Sequence, residues 1–193
     1  MNLKRHSIIT ACMAALAAAA HSGQTVEGPH LDRSAVVSLL HASDVVALDK
    51  AYKGVRANAG LNVLYRTLRL RMQPTRDNEL ALLGTVPRTF DDFLLYIALD
   101  DPDNSAVDDS VWSDVVDGYF ERIARLAVKN HSDLRPYLVL HSFADGYLRD
   151  YSQEWLDWLL QHRRQAVLSA YRTLDAGTKR GVCGDDCGEF ERK

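Results

Sequence analysis

The chain is expected to fold as a single all-α domain, and two observations carry that expectation. Apolar residues recur at three- and four-residue steps in segment after segment, while nothing of strand length alternates apolar and polar. No Asn-Gly or Asp-Gly turn sits between two candidate strands. Six or seven helices in an irregular bundle are expected, with a long C-terminal helix bearing Trp155 and Trp158 at the centre.

That helix sets the scale. From Asp150 onward, Leu156, Leu159, Leu160, Arg163, Val167, Ala170, Tyr171 and Leu174 fall on one side, with Trp155, Trp158 and His162 flanking it. Asp150 or Ser152 can cap its start, and Gly177 suits a left-handed residue past its end.

Taking the elements in order, residues 34–42 give a short amphipathic stretch. Ser43 offers a cap for a helix through Val46, Leu48, Tyr52 and Val55, ending near Gly60. Leu61, Leu64, Tyr65, Leu68 and Met72 share a face, and Pro74 stops that helix. Asp77 to Leu83 forms a short helix closed by Gly84, and Thr89 with Asp92 starts the next in the manner of a capping box. Trp112, Val115, Val116, Tyr119, Phe120, Ile123 and Leu126 mark the cleanest amphipathic pattern. Ser132 or Asp133 then caps a helix that holds Pro136 in its first turn and runs through Leu138, Leu140, Phe143 and Tyr147.

The first twenty residues read as a signal peptide: Lys4 and Arg5, an apolar run from Ile8 to Ala20, and small residues at Ala18 and Ala20. Cleavage near Ala20 is expected. A lipoprotein anchored at Cys12 is the lesser alternative, because few apolar residues precede that cysteine. The run is too short and alanine-rich to span a membrane. Residues 21–30 read as a flexible lead-in, and 31–193 as one helical domain, periplasmic or secreted. In an oxidising compartment Cys183 and Cys187, separated by three residues, are expected to close a small disulfide in the tail. A thiolate metal site is the alternative, weakened by the lack of neighbouring histidines.

The familiar catalytic signatures are missing: no G-x-S-x-G, no H-E-x-x-H, no phosphate-cradling glycine loop. The histidines are scattered, so His141 and His162 read as core or boundary residues that could face a shared interior, and no cofactor or metal is expected. The distinctive feature is charge. Between Asp91 and Glu121 there are ten acidic residues and no Lys or Arg, whereas residues 31–90 carry nine basic against five acidic ones, with Arg66, Arg69 and Arg71 close together. Some of these acids suit helix N-termini. An EF-hand loop starting at Asp101 fails, because Ala106 and Trp112 occupy the glycine and glutamate positions. Asp100, Asp101 and Asp103 cap nothing, and with Asp108 and Asp109 they point to a docking surface for a basic protein; the same charges, and export, disfavour nucleic acid. The expected function is a non-enzymatic exported binding module of inhibitor or immunity type. Two rivals stand beside it: a small enzyme joining Asp101 and Asp103 with His131 and His141, and an envelope protein that forms a homodimer through its tryptophans.

Overall fold

A computed structural model describes residues 31–100, 115, 118–184 and 188–191. The signal segment and lead-in, together with Asp101, Asp103, Asp108, Asp109, Trp112 and Cys187, lie outside them. The fold is all-α, with no strand among the described residues. The helices are α1 (Arg33–Leu40), α2 (Val45–Lys53), α3 (Ala59–Met72), α4 (Arg76–Leu83), α5 (Phe90–Ile97), α6 (Tyr119–Lys129), α7 (Arg135–Phe143), α8 (Gly146–Arg172), α9 (Ala176–Cys183) and a last turn, α10 (Gly188–Glu191). A 3₁₀ turn, Ala98–Asp100, extends α5.

Side-chain caps start most of these helices. Asp44 accepts from the Ala47 N–H, Asn58 from Leu61, Thr75 from Asn78 and Thr89 from Asp92, each occupying an otherwise orphaned donor of a first turn. The cap of α2 is thus Asp44 rather than Ser43, and α2 closes at Gly54. Gly60, expected near a helix end, lies inside the first turn of α3. It is needed there for contact: a Cβ at position 60 would stand 2.3 Å from the Leu95 carbonyl oxygen, so its absence lets the backbones of α3 and α5 meet.

The core is continuous but has two organisers. In the N-terminal half α3 packs against α1, α2, α4 and α5, burying Leu61, Val63, Leu64 and Leu68. In the C-terminal half α8 packs on α6 and α7, burying Leu156, Leu159, Leu160 and Val167, while α9 rests on α7. The tryptophan helix is central to its own half only. The α4–α6 contact joins the halves, where Glu79 of α4 binds Lys129 and Asn130 at the end of α6.

Two boundaries differ from expectation in the C-terminal half. Helix α8 starts at Gly146, capped by Asp145, and absorbs Tyr147. Its backbone leaves the helical region at Arg163 (φ −143°, ψ 42°), where the guanidinium donates to the Ala127 carbonyl 3.2 Å away at the end of α6. Beyond Thr173, Asp175 caps a further helix by accepting from Gly177 and Thr178, so Gly177 opens α9 instead of closing α8. Gly181 allows α9 to touch α7, since a Cβ there would lie 2.8 Å from Ser142. Arg149 of α8 locks the same corner, donating to the carbonyls of His141, Gly181 and Val182.

Substituting Gly60→Ala should destabilise the fold by about 1–3 kcal/mol through overpacking against Leu95, whereas Gly54→Ala, in ordinary contact distance of its neighbours, should be close to neutral. Urea midpoints at unchanged slope check the difference.

Candidate functional site

Helices α6 and α8 run side by side in the same direction, as rising contacts show: Phe120 against Tyr151, Arg125 against Trp155 and Trp158, Ala127 against Arg163. On α8, Tyr147, Tyr151, Trp155, Trp158 and His162 follow one another at four, four, three and four residues, which places them along one face. Ring contacts form two groups along it: Tyr147 and Tyr151 stack at 6.4 Å, and Trp155 meets Trp158 edge-on at 5.7 Å while Trp158 stacks on His162 at 4.1 Å. Both tryptophans are half-buried, their inner edges on the core and their outer edges at the surface.

Arg125 completes this surface. Its guanidinium sits 4.9 Å from the Trp155 ring centre and 5.5 Å from that of Trp158, a cation–π arrangement, and Glu121 one turn earlier holds it at 2.7 Å. Among the described residues Nε1 of Trp155 is buried with no hydrogen-bond partner, and the indole is held by packing, by Trp158 and by Arg125. The Trp158 carbonyl accepts from His162 Nδ1 at 2.8 Å, fixing that exposed ring against the indole. The result is a rigid aromatic strip with a cation lying over it. Strips of this type bury large area at little entropic cost when a partner arrives.

The sequence-derived site residues are only partly placed. Asp100 ends the 3₁₀ turn after α5, and the segment that follows it leads into α6, the helix that carries Glu121 and Arg125. Asp101, Asp103, Asp108 and Asp109 lie outside the described residues, so their common surface stays an expectation. Cys183 ends α9, half-buried, with its Sγ 2.9 Å from the Tyr171 hydroxyl; Cys187 is outside the described residues.

The histidines do not share an interior. His162 is exposed, and His131 is exposed at the left-handed residue that terminates α6 (φ 51°). His141 is fully buried between α7 and α8, its Nδ1 2.8 Å from the Ser152 hydroxyl. A serine and a histidine at this distance resemble a nucleophile with its base, yet both are sealed from solvent and Ser152 donates its proton to the Arg149 carbonyl. The pair is a core hydrogen bond. Among the described residues no group of three His, Cys, Asp or Glu side chains could hold a metal ion, and no helix is long and apolar enough to cross a membrane.

Elsewhere the arginines of α3 take separate roles. Arg69 joins Asp49, Tyr65 and Asn78 in a network, and its bond to Asp49 holds that carboxyl below the usual range. Arg66 instead lines a surface cleft of about 460 Å³ with Asn58, Asn62, Thr85, Arg88 and Asp92. Sequence reasoning marked the arginines as a cluster. It could not divide them, because the partners come from α2, α4 and the loop after α4. No protein-family model, no curated protein and no solved structure matches this chain.

Burial, then the nearby Arg149 charge, pushes the His141 imidazole down to about 3, against a weaker opposite pull from the Val182 backbone. Because the folded group resists a proton that the unfolded chain accepts near pH 6.5, its stability contribution is complete above that pH and declines below it. Between pH 6 and 4 unfolding free energy should fall by about 1.4 kcal/mol per unit from this residue, ahead of the carboxylates. Denaturation at stepped pH checks this, with His141→Gln expected to flatten the slope while lowering stability at neutral pH.

Proposed function

We propose that the protein is an exported, non-enzymatic binding module that docks another protein, in the manner of an inhibitor or immunity protein. The observation that carries this reading is the Trp155–Trp158 pair, half-exposed and overlaid by Arg125. Tryptophan and arginine dominate binding energy at protein interfaces, most of all where they are already rigid in the free partner. The acidic segment beginning at Asp100 runs in sequence into the same helix as Arg125, which gives the strip a negatively charged neighbour in the chain. A basic partner would be steered by Asp100, Asp101, Asp103, Asp108 and Asp109, and anchored on the indoles.

In this reading the protein works in the periplasm or outside the cell after losing residues 1–20, and a Cys183–Cys187 disulfide secures the tail. The packing of Phe190 on Tyr171 at 4.6 Å supports such a closure, since the Tyr171 hydroxyl also lies 2.9 Å from the Cys183 Sγ. The closed loop is short, and breaking it should cost about 2 kcal/mol. Melting with and without reductant, beside a Cys187→Ser variant, checks the contribution: equal melting points throughout would remove the disulfide.

The docking reading is tested by capture from envelope and secreted fractions at low and high salt. Trp158→Ala should weaken capture at least about tenfold. Asn at positions 100, 101 and 103 should weaken it mainly at low salt. Capture unchanged by all four substitutions would place the interface elsewhere on the fold. Failure to capture any protein would end the reading. A homodimer formed through the same indoles is the second reading, favoured by their partial exposure, and sedimentation of wild type against Trp158→Ala separates it.

A further inference from the structure

The cleft between the start of α3 and the loop joining α4 to α5 has a composition that the docking surface does not explain. Its volume, about 460 Å³, lies within the range of small-molecule sites. Two arginines, Arg66 and Arg88, line it from segments 22 positions apart in the chain. Neither makes an ion pair with a described residue. Arg66 is steadied by the face of the Tyr65 ring, 5.0 Å from its centre.

Two side-chain amides add donors of fixed direction. Asn62 accepts the Tyr52 hydroxyl on Oδ1, and Tyr52 is itself stacked on Tyr65 at 4.0 Å. Asn58 uses Oδ1 to cap the Leu61 N–H at 2.9 Å. With both oxygens engaged inside the protein, each amide is left with its NH₂ to offer. The first turn of α3 begins in the same place and adds the positive end of its dipole. Among the described residues of the lining Asp92 is the one acid, which sets two positive charges against one negative there.

We infer that this cleft binds a small ligand through an oxyanion, a carboxylate or phosphate group, gripped by Arg66 and Arg88 and oriented by the amides of Asn58 and Asn62. Guanidinium pairs suit such groups because parallel N–H donors match two oxygens at once. The site is independent of the aromatic strip, so the fate of the docking reading does not decide it.

NMR titration of the full chain with orthophosphate, and separately with succinate, at constant ionic strength set by chloride, tests the inference. Saturable shifts of the Asn58 and Asn62 side-chain amides are expected. Saturation with phosphate alone assigns a phosphate group, and saturation with succinate alone a carboxylate. Arg66→Gln should weaken binding about tenfold, and the double variant with Arg88→Gln should abolish it, with melting temperatures showing that the fold persists. Asp92→Asn should tighten binding, a gain that misfolding does not produce. Shifts that grow linearly with both probes, or that persist in the double variant, would overturn the proposal.

Discussion

The C-terminal half of this protein depends on arginines of α8 that satisfy the ends of other helices. Every helix leaves its last carbonyls without intrahelical donors, and burying them unpaired is costly. Arg149 reaches His141 at the end of α7 and both Gly181 and Val182 at the end of α9. Arg163 reaches Ala127 and Ser132 where α6 terminates. A positive charge at a helix C-terminus also complements the dipole. One helix thus anchors three others by the same device, and the close approach at Gly181 brings the α9 carbonyls within Arg149's reach.

This device explains a departure from helical regularity. Arg163 falls on the face that carries Leu156, Leu159, Leu160 and Val167, where an arginine looks misplaced. Its guanidinium is turned inward to the end of α6, and the backbone breaks at the same residue. The position of His131 belongs to the same corner. The Ser132 N–H returns to the Ala127 carbonyl at 2.9 Å, closing the α6 terminus with His131 held left-handed.

Much of the fold was legible because apolar periodicity, the Thr89 cap and the Pro74 stop are local signals, and local signals survive without knowledge of the fold. Most other caps lie elsewhere than the sequence suggested, Asp44 in place of Ser43 and Asp145 in place of Asp150, because several polar residues near a helix start can play the same part. Helix α9 was not legible. Its sequence A-G-T-K-R-G-V-C buries Val182 but has no apolar period, and it is held by Arg149, by Gly181 on α7 and by the Asp175 cap. The aromatic strip was half legible: its spacing on α8 is visible in sequence, but the cation above it comes from α6. The cleft was illegible for the same reason, since Arg66 and Arg88 become neighbours only when α3 meets the loop after α4.

Stability alone does not account for Trp155. Among the described residues its indole N–H is buried without an acceptor, and an unpaired buried donor costs about 1–3 kcal/mol against an apolar side chain of similar size. Arg125 offsets part of that cost from an exposed position, where a cation–π contact contributes about 0.5–1 kcal/mol. A leucine at 155 would pack the α6–α8 seam without an orphaned donor. What a leucine could not do is present a flat, rigid ring beside Trp158 with a guanidinium already aligned above both. In the docking reading proposed above, that presentation is what Trp155 would add beyond packing, which is the physical reason to look for the interface on this strip.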